Sequence, residues 1–250
     1  MEKPKKNSNF AKNNRENVNN GIFNGSTQKE LGGSNEVSIR TEIADKLRNG
    51  VEEARRKLAE SSQNGSRILS QYEQEDLEKQ ITFDYAKENG LWVDDLYSLG
   101  RPLKGGIENT LALDNMTGIL YKSNNLLNSK FLISNLIEQI RVHNLLFSET
   151  KYEIVGFTGI DNGKNRTPHI EVILKQDYVP NTTESTPQEI LDYMQSIGFQ
   201  QLNEITFTNG QYIVSDLRPR NVLKDENGII YVVDDIVSDA SAEPLYLRNS

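Results

Sequence analysis

Apolar residues recur at helical spacing through residues 37–58, where Ile43, Leu47, Val51, Ala54 and Leu58 share a face, with Lys and Glu between them. That pattern predicts an amphipathic helix. Gly65 and its Ser and Asn neighbours interrupt it, and a second helical stretch covers residues 72–88 before stopping at Asn89-Gly90. The two helices form either an accessory, partner-binding hairpin or a layer packed on the domain downstream; packing is the expectation for the second. Residues 91–99 read as a first strand, and residues 107–113 and 119–122 as a hairpin around a turn at 114–118. The best helical pattern is at 129–147, with Leu132, Ile133, Leu136, Ile137 and Ile140 in one stripe and Ser129 as its cap. Residues 152–157 and 169–175 are β-like. Thr186-Pro187-Gln188-Glu189 is a capping box that starts a helix running to about residue 197 and ending at Gly198. A hairpin around Asn209-Gly210 and a turn at Asp225-Glu226-Asn227-Gly228 then lead into an apolar strand that ends at Asp234-Asp235.

Residues 1–35 are rich in Asn, Lys, Ser and Gly and hold too little apolar surface to offset the entropy of ordering, so they read as a disordered tail. The chain then divides into that tail, a helical extension over 36–88 and a main domain over 89–250. With 250 residues, 36% hydrophobic and 26% charged, it suits one domain of moderate size plus extra segments. A net charge of −8 supplies no field for nucleic acid or an anionic membrane, so neither is expected as a partner. The absence of cysteine excludes disulfides, zinc–thiolate sites and thiol nucleophiles, and agrees with a cytoplasmic location. No apolar run has the length of a membrane span, and no signal peptide follows the N-terminal lysines. Only two histidines occur, far apart at 143 and 169, which argues against a His-based metal site or triad. Any chemistry rests on carboxylates, amides and lysines.

One stretch carries such groups in order. Asp216-Leu217 is followed by Asn221 five positions after the aspartate, and Asp234 stands at the end of the next apolar strand. Phosphoryl transfer uses this set: one Asp to orient the attacking hydroxyl, and an Asn and an Asp to hold magnesium on the phosphates. Upstream, a loop bearing Gly100, Gly105 and Gly106 precedes a hairpin that ends in Lys122. Backbone N–H groups at glycines can approach phosphates, and a lysine adds a point charge to them. The loop alone specifies little: Gly106-Ile107 stands where a Walker A loop needs Lys-Ser/Thr, and a tight turn without a ligand is the default reading. Glu138 is the sole carboxylate of the 129–147 helix. It either braces Lys122 or, lying nearly opposite the apolar stripe, is simply solvated; both roles stand open.

Several lines together resemble the protein-kinase-like superfamily, and more narrowly the serine/threonine/tyrosine kinase-like domain of polyvalent proteins from phages and conjugative elements. They are Leu99-Gly100, Gly105-Gly106-Ile107-Glu108-Asn109, the run from Leu120 to Leu126 around Lys122, and His143-Asn144-Leu145-Leu146-Phe147. They continue with Gly156-Phe157-Thr158-Gly159, the run from Val214 to Leu223 around Asp216, and Tyr231-Val232-Val233-Asp234. The resemblance covers roughly residue 88 to the end. It implies an α+β, bilobal protein-kinase-like fold with ATP and Mg²⁺ at the cleft. In it Asp216 is the catalytic-loop aspartate, Asn221 and Asp234 hold Mg²⁺, Lys122 contacts the α/β phosphates and Glu138 braces it. Arg218, where many such kinases place a lysine, neutralises the transferred group, and residues 172–179 supply the hinge for adenine.

Departures temper this. Val214-Ser215 replaces the His-Arg that usually precedes the aspartate, and Asp235-Ile236 replaces the Phe-Gly that usually follows the metal-binding one, which leaves Asp235 a bystander. The sequence ends sixteen residues after Asp234, so a strongly reduced C-terminal lobe is expected, with a small or otherwise docked acceptor. An ATP/Mg²⁺-dependent phosphotransferase acting on an unknown protein or small-molecule hydroxyl is the leading expectation. A nucleotide-binding pseudokinase serving as an interaction module is the alternative, and a small-molecule kinase the third.

Overall fold

The structure, a computed structural model, describes residues 36–61, 68–163 and 166–241. The tail reading for residues 1–35 lies outside the described residues. The first stripe becomes α1 (Glu36–Ser61), which buries Ile39, Ile43, Leu47 and Val51. The second becomes α2 (Gln71–Glu88), opened by a capping box between Ser70 and Glu73 and closed at Asn89. Both helices share one apolar core with the main domain: Ile39, Ile43, Leu47, Tyr85 and Ala86 pack with Leu136, Phe157 and Val172. The boundary drawn at 88/89 therefore runs through a core, and α1 is as much a part of this layer as α2. Tyr85 reinforces the pairing by donating to Glu42 at 2.8 Å.

The sheet against which they pack is antiparallel and five-stranded, in the order β1-β2-β3-β5-β4. Its strands are β1 (Arg101–Leu103), β2 (Asn109–Asp114), β3 (Ile119–Asn124), β4 (Glu153–Ile160) and β5 (His169–Asp177). The strand expected at 91–99 does not form. Asp95 instead caps a 3₁₀ turn, Leu96–Ser98, by accepting from the Tyr97 N–H at 2.9 Å, and Trp92 makes only an isolated bridge to Phe157. Lys122 sits on the central strand β3, opposite Leu111 on β2 and Leu174 on β5.

Between β3 and β4 the chain forms α3 (Ile133–Leu146), four residues later than the pattern at 129 predicts. Ser129 belongs to a 3₁₀ turn, Leu127–Ser129, and its hydroxyl donates to Leu126 O at 2.9 Å, so it caps nothing. The α3 N-terminus is satisfied instead from α2. The Glu78 carboxylate, 1% exposed, accepts from Ser134 N at 3.0 Å and Ser134 Oγ at 2.7 Å. A carboxylate at a helix N-terminus meets both the orphan N–H groups and the positive end of the dipole. Glu78→Ala should cost about 1.5–3 kcal/mol, the range for hydrogen bonds to charged groups, measured by urea unfolding.

The remaining elements build a second core. They are β6 (Thr183–Glu184), α4 (Pro187–Ser196), β7 (Gln200–Asn203), β8 (Thr206–Thr208), β9 (Tyr212–Ser215), β10 (Val222–Lys224), β11 (Ile230–Val232) and β12 (Ile236–Asp239). Their strands form a three-stranded sheet, β11-β10-β6, and a four-stranded one, β12-β9-β8-β7. Ile190, Met194, Phe207, Val214, Leu217 and Val237 pack together there, joined by Val142 from α3. Thus α3 turns Leu136 and Ile140 to the first core and Val142 to the second. Strands β7 and β12 were not anticipated; Gln200-Gln201-Leu202-Asn203 carries no apolar alternation to read. Among the described residues, no helix is long and apolar enough to cross a membrane.

Candidate active site

Strand β9 delivers the chain to Asp216, whose φ of 61° is left-handed. Asp tolerates that region better than most side chains, but a non-glycine residue there still costs of order 1–3 kcal/mol. The surrounding bonds hold it in place. Leu217 N–H donates to Ile205 O at 3.1 Å, and Arg218 N–H to Asp216 O at 2.8 Å. A 3₁₀ turn, Pro219–Asn221, then brings Asn221 back beneath the aspartate. There the buried Asn221 Nδ2 donates to Asp216 O at 2.8 Å and to Asp216 Oδ2 at 2.9 Å. Arg218 Nε donates to the other carboxylate oxygen at 2.5 Å. Asn221 Oδ1 takes part in none of these bonds and remains an acceptor.

Asn221 also reaches the second half of the motif. Its carbonyl accepts from Val233 N–H at 2.9 Å and Asp234 N–H at 3.4 Å. The segment 232–235 is then held residue by residue from the first core. Thr150 Oγ1 donates to Val232 O at 2.6 Å, while Tyr152 Oη and Lys122 Nζ each donate to Val233 O at 2.7 Å. Asp234 Oδ1 lies 3.4 Å from the same tyrosine hydroxyl, and Asp235 Oδ1 meets His143 Nδ1. One hydrogen-bonded path thus runs Lys122–Val233–Asn221–Asp216.

Around Lys122 is a small cavity of about 30 Å³, lined in part by Glu108, Lys122, His143, Tyr152, Asp234 and Asp235. Burial pushes the Lys122 ammonium below its usual pKa, opposed by the charges of Asp234, Asp235 and Glu108. Burial likewise raises Tyr152, with Asp234 and Asp235 adding to it, so the hydroxyl stays a donor. Glu108 is raised by its own burial and further by Asp234, against lowering bonds from Asn124 and Asn128. Three carboxylates and a lysine therefore face one small polar space.

Lys122, Asp216, Arg218, Asn221 and Asp234 fall on or beside that path. Glu138 does not. It is bound by Arg141, at 2.6 and 2.9 Å, with 59% of its side chain exposed. The reason is helical phase: α3 presents Leu136, Gln139, Ile140 and His143 to the cavity, and Glu138 falls outside that face. Glu138→Gln should shift stability by no more than about 0.5 kcal/mol and leave nucleotide affinity unchanged, as an exposed pair predicts; thermal melting and an ATP titration check it.

Two of the three glycines are accounted for by packing. A Cβ on Gly100 would come within 2.5 Å of Leu113 C, and one on Gly105 would run into Asn109 O. Gly106 faces open space. Four titratable cavity residues were given no role from the sequence: Glu108, His143, Tyr152 and Asp235. The adjacent carboxylates Asp234-Asp235 were the one available signal, because a second aspartate where an apolar side chain is usual needs a partner.

A model of the serine/threonine/tyrosine kinases found in polyvalent proteins matches residues 74–238. The chain belongs to this family. The match begins inside α2 and ends in β12, so it takes in most of the second helix, both cores apart from the α1 residues of the first, and the whole path from Lys122 to Asp216. It also bears out the resemblance drawn from the motifs, and an α+β kinase-like domain with it. No curated protein and no solved structure matches the chain.

Proposed function

We propose that this kinase-family chain transfers the γ-phosphoryl group of ATP to a hydroxyl with Mg²⁺. The observation that carries the reading is Asn221, whose side chain fixes Asp216 while its carbonyl fixes Asp234, joining the acceptor-orienting carboxylate to the metal-binding one. Asp216, with both oxygens already aligned by Arg218 and Asn221, keeps lone pairs to accept the attacking hydroxyl's proton. Arg218, half exposed beside it, neutralises charge on the transferred group. Lys122 supplies a positive charge from the base of the cleft.

The donor set fits the metal. Magnesium in such sites is held by one or two carboxylates together with phosphate oxygens and water, and Asp234 and Asn221 Oδ1 are hard oxygen donors of that kind. Among the described residues no three His, Cys, Asp or Glu side chains gather into a metal cage, which suits an ion shared with phosphates. Bound there, Mg²⁺ would offset charge on the phosphate oxygens.

The cleft lies between the two cores, and we read it as the cleft of a bilobal fold whose second lobe is reduced to α4 and short strands. A cavity of 30 Å³ accommodates about one water, whereas ligand pockets run to roughly 300–1,000 Å³, so ATP entry requires the cleft to open. The loop at 104–108 is the part suited to move. Hydrogen bonds fasten it, Asn125 N–H to Glu108 O at 3.1 Å and Asn125 Nδ2 to Ile107 O at 3.0 Å, and Ile107 at its tip is 90% exposed.

The small size of that cavity also favours a second reading, a nucleotide-free interaction module. Incubation with γ-labelled ATP and Mg²⁺, alongside an ATP-binding measurement, separates the two. Label transfer that requires Mg²⁺ supports the phosphotransferase. Neither transfer nor binding supports the module.

A further inference from the structure

His143 and Asp235 join α3 to the segment bearing Asp234, and nothing in the proposed chemistry uses them. His143 Nδ1 and Asp235 Oδ1 are 2.5 Å apart, with the two side chains 2% and 1% exposed. His143 Nε2 lies 2.8 Å from Thr150 O. A carbonyl only accepts, so Nε2 is the donor to Thr150 O, and Nδ1 and Asp235 Oδ1 are joined by a second hydrogen bond. The result is one hydrogen-bonded unit that links α3, Thr150 and Asp235.

Apolar side chains would fasten the helix to the segment as firmly, because desolvating a buried pair offsets much of its attraction. What this pair adds is direction. It fixes one residue of the segment against one turn of α3, in a helix whose glutamate is turned away from Lys122. The next residue, Asn144, clamps the Tyr152 backbone through two 2.8 Å bonds, and Tyr152 Oη holds Val233 O. Asp234 therefore has both chain neighbours tethered to α3, Val233 by way of Tyr152 and Asp235 directly through His143.

We propose that His143 and Asp235 are positioning residues that set the Asp234 carboxylate for its metal, giving α3 the link to the site that a lysine–glutamate pair would otherwise provide. The proposal rests on the phosphotransfer reading for the identity of the metal, though not for the geometry.

The test uses the full chain with a non-hydrolysable ATP analogue and Mn²⁺ in place of Mg²⁺, binding being followed by water-proton relaxation. His143→Gln and Asp235→Asn should each weaken Mn²⁺ binding about 10- to 100-fold, as loss of an outer-shell partner does. The Mg²⁺ needed for half-maximal transfer should rise by the same factor, excess metal should restore the rate, and the KM for ATP at saturating metal should stay fixed. His143→Gln is the decisive variant, since His143 cannot itself be a ligand of a metal on Asp234 while bonded to Thr150 and Asp235. Folded variants with unaltered Mn²⁺ affinity would overturn the proposal. Should both variants fail to fold, ¹⁵N-histidine spectra of the unaltered chain still decide: His143 ring signals that shift when Mg²⁺ is added to the chain with its ATP analogue support the link to Asp234, and signals unmoved by the metal overturn it. If the unaltered chain neither transfers label nor binds Mn²⁺ with nucleotide, the phosphotransfer reading itself fails, a result distinct from equal metal binding by all three proteins.

Discussion

Asp216→Asn should lower label transfer by about 10²- to 10⁴-fold, the contribution of a positioned general base, while ATP binding is retained. Asparagine is the informative replacement because the position is left-handed, at φ 61°, and asparagine accepts that conformation about as readily as aspartate. It keeps the side chain's shape and an oxygen for Arg218 or Asn221 while removing the charge. Asp216→Ala removes the same charge and adds two penalties. It puts a Cβ without a local hydrogen bond in a strained conformation, and it leaves Asn221 Nδ2 with only the Asp216 carbonyl as acceptor. The alanine variant should therefore lose stability as well as transfer, and the asparagine variant transfer alone. Unfolding midpoints set beside initial rates separate the two effects. Transfer by Asp216→Asn within tenfold of the unaltered chain would remove Asp216 from the chemistry.

The sequence disclosed the parts of this site whose spacing is set by local structure. Asp216 and Asn221 lie within one loop, so their distance in the chain nearly determines their distance in space. Lys122 and Asp234 sit on or beside strands whose alternation and turns are readable. What escaped was set by rotation and by partners from other elements. Glu138 has the residue type and the position along the chain for a lysine partner, yet the face it occupies is decided by how α3 beds between two cores. The α3 start was misplaced for a related reason: its cap comes from Glu78, fifty-six residues upstream, and Ser129 offered a local substitute that satisfies Leu126 O instead. His143 and Asp235 are ninety-two residues apart and meet only in the folded chain.

Lys122→Met should destabilise the chain by about 3–5 kcal/mol, the cost of removing one partner from a set of buried charges, in addition to eliminating transfer. Methionine nearly preserves the length and packing of the lysine stem, so the loss is electrostatic and hydrogen-bonding rather than a cavity. Val233 O keeps the Tyr152 hydroxyl as donor, but Glu108 and Asp234 are left without the ammonium that faces them; Asp235 still has His143. Glu108, already raised by burial and by Asp234, is the group that can relieve this by taking up a proton. Linkage sets the sign of the pH dependence. A carboxyl whose pKa is raised on folding contributes stability that is full below its unfolded value, near 4.5, and is lost as pH rises through the folded value. The deficit of Lys122→Met relative to the unaltered chain should therefore shrink as pH falls towards 4.5. Glu108→Gln introduced into the same variant should recover part of the deficit at neutral pH, with a coupling of about 0.5–3 kcal/mol between the two sites. Strict additivity in that cycle, at neutral pH, would mean that Glu108 does not face Lys122, and that the cavity's positive charge is balanced by Asp234 and Asp235 alone.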